Sequence, residues 1–282
     1  MSEEGPNGLS DKGIAAIHRE TAAGWEVVAN SKYREELGHV LGALKRGESQ
    51  LSETEQSFVR PLCRGCHRVI HLQCSNGAEV LSLLGFGAEE AVGVDISEEM
   101  IAQAQEMTEA IGATATWYCC DVLETPYELD ATADLVYTGG GALPWIMDID
   151  AWAGVVFRLL RPGGTLYLSE GHPLSYSWDI ECDDYRLVPG PNYCAGGIVL
   201  NRGYPSTRVA AHTRTEDRPD MRERIWPLGD VMNALIRAGL VLKHFQEEDD
   251  PGWPLFPNMP PERLHRLPHM YSLLAGKPDD AR

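Results

Sequence analysis

No apolar run in this 282-residue chain approaches the roughly 20 residues that a membrane-spanning helix needs. The opening MSEEGPNG has neither a basic stretch nor an apolar core, which argues against a cleaved secretion signal and for a cytoplasmic protein. Positive charge is scarce: 24 Lys and Arg stand against 42 Asp and Glu, a formal charge of -18. The resulting far field opposes long-range attraction to phosphate backbones and anionic lipid, so neither nucleic acid nor a membrane is the expected partner. A disulfide framework is missing as well. The seven cysteines are odd in number and scattered, and in a chain without an export signal they are expected as reduced thiols.

What is present is a globular composition, with 43% hydrophobic residues, in a length that suits one catalytic domain with additions. Residues 13–43 read as helical, because Ile14, Ile17, Ala22, Trp25, Val28, Leu37, Val40 and Leu41 recur near the helical period. Ser52 followed by Glu55 has the form of a capping box. From position 69 strands and helices alternate: VIHLQC (69–74), a helix ending near Gly85 or Gly87, AVGVDI (91–96), a helix over 97–112 capped by Ser97, and ATWYCC (115–120). DLVYTG (134–139), a helix from Ile149 to Leu160, a turn at RPGG (161–164) and TLYLSE (165–170) repeat the unit. Such alternation predicts an α/β fold with a mostly parallel sheet covered on both faces.

Between 171 and 227 the rhythm breaks into a Pro-, Gly- and aromatic-rich stretch whose best extended segment is RVAAHTRTE (208–216). An insertion adjoining the site is the natural reading. LGDVMNALIRAG (228–239) then reads as a helix, and LVLKHFQEE (240–248) and HMYSLLAGK (269–277) as two strands of an antiparallel edge hairpin.

In open parallel sheets ligands bind beyond the C-terminal strand ends, where a helix N-terminus exposes its amides. The first strand here ends in Cys74, Ser75, Asn76 and Gly77, and Asp95 closes the second strand, where a carboxylate can accept both hydroxyls of a ribose. A nicotinamide enzyme has a similar acidic residue, but its pyrophosphate needs a GxGxxG run, and this loop has a single glycine. Asp121 and Val122 follow the third strand, placed to accept from an adenine amino group and to cover one ring face, with Ile96 available for the other.

VIHLQCSNG (69–77) resembles the first strand and loop of the class I S-adenosylmethionine-dependent methyltransferases, specifically the bacterial group acting on small molecules. The resemblance covers about 65–170, weakly 228–277, and includes RPGG before the fifth strand. The family's first acidic residue falls at His71 and its first two glycines at Gln73 and Ser75, three departures in one loop, while its last glycine is kept as Gly77. The resemblance implies a Rossmann-like seven-stranded class I methyltransferase sheet, with an N-terminal helical cover (1–60) on a domain (61–282) that carries an insertion after the fifth strand (171–227). It implies S-adenosylmethionine as cofactor, with Gln73, Cys74, Ser75, Asn76, Gly77, Ile96 and Met100 around it, Asp95 at the ribose and Asp121 and Val122 at the adenine. Thr138 and Gly139 then lie beneath the methionine portion.

The expected reaction is in-line displacement of the methyl group by an N or O atom of a small-molecule acceptor, in natural-product biosynthesis, in a monomer or homodimer. The alternatives are a non-catalytic binder of S-adenosylmethionine or S-adenosylhomocysteine and a nicotinamide-dependent oxidoreductase. His172, just past the fifth strand, is the candidate base, with Glu170 to hold it or contact the acceptor and His212 a weaker second. Trp25, Tyr33, Trp145, Trp178, Tyr185 and Trp226 are candidate walls of a partly apolar or aromatic acceptor site. CRGCH (63–67) matches the short heme-attachment pattern but leads straight into the first core strand, so neither heme nor a metal is expected there.

Overall fold

The computed structural model describes residues 9–189, 192–201, 220–252 and 256–279. RVAAHTRTE and His212 lie outside these described residues. Ahead of the sheet come α1 (Asp11–Val28), a π-helical turn (Ala29–Tyr33), α2 (Arg34–Lys45) and α3 (Glu53–Cys63). The helical period over 13–43 is thus one run with an irregular turn inside it. Ser52 caps α3 in the expected capping box, its hydroxyl accepting from Glu55 N while Glu55 accepts from Ser52 N.

The alternating part gives β1 (Arg68–Leu72), α4 (Ala78–Gly85), β2 (Glu90–Asp95), α5 (Glu98–Ile111), β3 (Thr116–Cys119), β4 (Ala133–Thr138), α6 (Ile149–Leu159) and β5 (Leu160–Gly171). Then follow β6 (Gly197–Asn201), β7 (Met221–Ile225), α7 (Leu228–Arg237), β8 (Val241–Glu248), α8 (Pro261–Leu264) and β9 (Met270–Gly276). Seven strands form one sheet in the order β3-β2-β1-β4-β5-β9-β8. The first five are parallel, and β9 is antiparallel to both β5 and β8. The late hairpin forms at the edge as expected, with the later strand inserted inside the earlier one. Burial accounts for this order: Tyr271, Leu273 and Ala275 of β9 are core residues, whereas Val241 of β8 is exposed.

RPGG differs from its expectation. The stretch lies within β5, where Leu160 pairs with Ala133 and Thr165 with Leu135, so the intervening residues bulge out of the ladder around Gly163 at φ +78°. The insertion contributes a second sheet that its composition did not announce, the antiparallel pair β6 and β7.

The large sheet buries one apolar face against α6 and α7, through Ile70, Leu72, Val136, Trp152, Val156 and Leu235. Its other face packs on α3, α4 and α5 through Val69, Leu135, Tyr137, Val59, Val80 and Ile101. Order along the sheet reverses between β1 and β4, the switch point at which a crevice opens beyond the strand ends. Across that crevice lies α1. Its buried positions Ile14, His18, Thr21, Gly24 and Val28 recur at helical spacing, so one face turns inward. A Cβ on Gly24 would meet Met221 Sδ at 2.6 Å, which shows how closely α1 sits on β7.

Candidate active site

A cavity of about 1010 Å3, its open mouth included, lies at the C-terminal ends of β1 to β4 beneath α1. Its walls come from the loop after β1 (Gln73, Ser75), the end of β2 (Asp95, Ile96), α5 (Met100), the loop after β3 (Cys120, Asp121, Val122) and the loop after β4 (Gly139 to Ala142, Trp145, Ile146). His18, Thr21, Trp25 and Tyr33 form the roof.

The loop after β1 reverses the chain in few residues, and it does so with Gln73 at φ +59°, Ser75 at +50° and Gly77 at +77°. Two of these left-handed positions are therefore held by residues with side chains, at the places where the family resemblance expects glycine. Gly77 caps α4, and a Cβ there would strike the Trp117 ring at 2.3 Å, so this glycine is required by the packing. Gln73 Nε2 donates to Ala142 O at 2.8 Å and ties the first loop to the fourth.

Asp95 stands between two amides: Oδ2 accepts from Ser75 N at 2.8 Å and Oδ1 from Ser97 N at 2.9 Å. Burial pushes its carboxyl up to about 6 although the amides of Ser97, Ser75 and Ile96 pull it down. Asp121 accepts from Leu123 N at 3.0 Å on Oδ1 and from the His18 ring at 2.6 Å on Oδ2. Asp95 and Asp121 line the same cavity.

Of the twelve residues expected around the cofactor, Gln73, Ser75, Asp95, Ile96, Met100, Asp121, Val122 and Gly139 line this cavity. Cys74, Asn76, Gly77 and Thr138 do not; Cys74, Asn76 and Thr138 are buried behind the wall, and Gly77 shapes the turn. Trp25, Tyr33 and Trp145 are walls as expected, with Trp25 and Trp145 edge-on at 5.4 Å. Trp178 and Tyr185 instead pack together at 5.3 Å, and Trp226 donates to Ile146 O beneath the cavity floor.

His172 requires a correction. It is 2% exposed and is not among the lining residues; Nδ1 accepts from Leu174 N at 3.2 Å and Nε2 lies 3.1 Å from Glu247 on β8. The chain turns at the end of β5 so that this ring faces the β9 and β8 edge, away from the switch point, and burial holds its pKa below the usual value. Glu170 likewise stays inside the protein. Its Oε1 accepts from Ala142 N at 2.5 Å and Leu143 N at 2.9 Å, and burial pushes it up to about 7. It therefore anchors the glycine loop after β4, one step behind the cavity.

Sequence reading missed His18, Thr21 and Glu79 among the lining residues. For the first two a signal existed: polar residues at positions 18 and 21 interrupt the inward stripe of α1, where a purely structural helix would carry apolar ones. His71 also lines the cavity. Both of its ring nitrogens are buried without a partner, its ring is edge-on to Tyr137 at 4.6 Å, and burial lowers its pKa to about 3, so it is neutral at physiological pH.

Residues 69–164 match the family model described as a methyltransferase domain. No match was found among curated proteins. Among solved structures, the chain is similar to an S-adenosylmethionine-dependent methyltransferase from Mesorhizobium loti at 22% identity and TM-score 0.58, covering 80% of this chain and 99% of that one. It is also similar to a counterpart from Clostridium acetobutylicum, at 13% identity and TM-score 0.58 over 87% of this chain and 99% of that one. A putative S-adenosylmethionine-dependent methyltransferase from Listeria monocytogenes has 16% identity and TM-score 0.58 over 79% of this chain and 97% of that one. These likenesses establish the fold. Among the described residues, no helix is long and apolar enough to cross a membrane.

Proposed function

We propose that this chain, whose residues 69–164 match a methyltransferase domain, uses S-adenosylmethionine to methylate a nitrogen or oxygen atom of a small, partly apolar acceptor. The observation that carries the proposal is the single cavity joining Asp95 and Asp121 at consecutive strand ends, under a roof bearing Trp25 and beside Trp145.

The residues present fit the cofactor. Asp95 offers its remaining lone pairs to the ribose hydroxyls, Ile96 and Val122 flank a base, and Asp121 accepts from the base amino group. At the other end, Gly140 and Gly141 leave open space where a side chain would begin, with no heavy atom within 4 Å of an added Cβ. His71, with both ring nitrogens orphaned, and Gln73, with Oε1 unpartnered, line the same cavity and are the groups we assign to polar ligand atoms. Glu79 supplies a carboxylate for an ammonium group.

When bound, the cofactor supplies a methyl group on a sulfonium centre, open to in-line attack. The protein's part is to hold the acceptor atom opposite that methyl at about 3 Å and to keep water out. Trp25, Trp145, Tyr33 and Ile146 give the broad apolar contact that suits a flat acceptor. Neither lining histidine stands ready as a base: the His18 ring is filled by two hydrogen bonds, and His71 with a pKa of about 3 takes up protons poorly. We therefore favour acceptors whose lone pair is free at neutral pH, such as weakly basic or heteroaromatic nitrogens, ahead of alcohols. The negative net charge is consistent with a small-molecule acceptor in the cytoplasm rather than a nucleic acid.

Two measurements test this reading. Calorimetry with S-adenosylhomocysteine checks the seat, with NADH as control; binding of NADH in its place would overturn the assignment. Transfer of a labelled methyl group to a panel of weakly basic amines, phenols and alcohols then checks the acceptor class. Tight binding with no transfer to any acceptor would leave a non-catalytic binder.

A further inference from the structure

We propose that His18 is a positioning residue that aims the Asp121 carboxylate at the cofactor's base and thereby makes the site selective for an aminopurine over an oxopurine; the proposal rests on Asp121 receiving that base. His18 sits on the inward stripe of α1, is 4% exposed and lines the cavity. Its Nε2 accepts from Met147 N at 3.2 Å. A backbone amide can only donate, so Nε2 presents a lone pair and the ring carries its proton on Nδ1. That proton is donated to Asp121 Oδ2 at 2.6 Å. The tautomer is thus fixed by the loop on the far side of the ring.

The bridge has a long reach in the fold. Asp121 follows β3 and Met147 lies beyond β4, and β2 and β1 run between those two strands. With strands spaced about 4.8 Å apart, one imidazole therefore links loops whose strands stand roughly 14 Å apart, at the cavity that Asp95 and the loop after β1 also line. A nucleoside lying across these strand tips would rest under this link.

Asp121 is held from both sides. Oδ1 takes Leu123 N at 3.0 Å and Oδ2 takes His18, so each oxygen keeps one lone pair and the plane of the carboxylate is set. Filled in this way, the carboxylate can only accept further hydrogen bonds. It welcomes the exocyclic amine of adenine and repels the carbonyl that replaces it in hypoxanthine, a mismatch that leaves two acceptors facing each other. His71, the other cavity histidine, has neither nitrogen bonded, so the two rings have opposite tasks: one awaits a ligand, the other orients a protein group.

Two substitutions separate the arms of the ring. Asn places its amide N–H near the position of Nδ1, so His18→Asn keeps the bond to Asp121 and loses the one to Met147. His18→Leu fills the space and loses both. Calorimetry with S-adenosylhomocysteine and S-inosylhomocysteine should show that the wild-type protein prefers the adenine compound, that His18→Leu binds it about tenfold or more weakly with the preference reduced, and that His18→Asn stays within about threefold of wild type. Wild-type selectivity retained in His18→Leu would overturn the proposal, and so would an equal loss in His18→Leu and His18→Asn, since a merely structural histidine predicts that pattern. Asp121→Asn serves as the separate control: undiminished adenine affinity in that variant would sink the underlying placement of the base, even where the wild-type protein binds S-adenosylhomocysteine.

Discussion

Asp95 at the end of β2 accepts the amide of Ser75 at 2.8 Å, so the residue expected to hold the ribose also holds the loop that begins the cofactor site. Its dual task makes its charge state consequential. Burial raises its pKa to about 6, and only the ionised form accepts both ribose hydroxyls. Affinity for S-adenosylhomocysteine should therefore rise as pH increases through about 6 and level off above it, and calorimetry from pH 5 to 8 would show this. Asp95→Asn should weaken binding by roughly 1–3 kcal/mol and flatten that profile. An unchanged profile in the variant would mean that another group titrates.

Glu170 predicts a pH effect on stability. Its folded-state pKa is about 7, above the ordinary value of 4.5, because burial disfavours the charged form. With the folded state binding the proton more tightly, its stabilising contribution is complete below about pH 4.5 and is lost as pH rises toward 7. Chemical denaturation at pH 5 and pH 8 should show this dependence in the wild-type protein and a shallower one in Glu170→Gln. Glu170→Ala strips both Ala142 N and Leu143 N of their acceptor and should cost about 2–4 kcal/mol, loosening the glycine loop at the cavity with it.

The strands around the switch point were legible because each is a short β-branched or apolar run closed by a turn residue, and Ser52 and Ser97 announced their helices by capping chemistry. Asp95 and Asp121 were legible for a related reason, since a carboxylate directly after such a run must emerge at the strand tip. His172 obeys the same rule and still misses the cavity. Position on the strand fixes which end a residue occupies, whereas the direction of its side chain depends on β9 and β8, which are remote in sequence and supply its partner Glu247. The roof was illegible for the same reason. Helical spacing identified α1, but nothing local in it specifies that His18 will meet Asp121, a partner 103 residues away.

His71 offers a test in which stability and function should separate. Both ring nitrogens are buried and unpartnered in the free protein, a cost of order 1–3 kcal/mol that a bound ligand would relieve. His71→Leu, similar in volume, should leave the free protein as stable as wild type or up to about 1 kcal/mol more so, while S-adenosylhomocysteine affinity falls by roughly tenfold. Urea denaturation and calorimetry on the same sample would check the two parts. Equal losses of both would mark His71 as a packing residue.

The loop after β1 allows the missing glycines to be restored one at a time. Gln73 and Ser75 both sit at positive φ, which costs a residue with a side chain about 1–2 kcal/mol, and glycine removes that strain while adding roughly 0.5–1 kcal/mol of entropy to the unfolded chain. Ser75→Gly gives up only a 3.5 Å contact from Oγ to Met100 Sδ, so it should stabilise the protein by up to about 1 kcal/mol. Gln73→Gly also loses the 2.8 Å bond to Ala142 O, worth about 0.5–1.5 kcal/mol, and should come out neutral or destabilising. The two reversals are alike in backbone and differ only in what the side chain holds. If urea midpoints moved equally in both variants, the tie between the first and fourth loops would be contributing nothing, and Gln73 would stand at its position for a reason other than joining them.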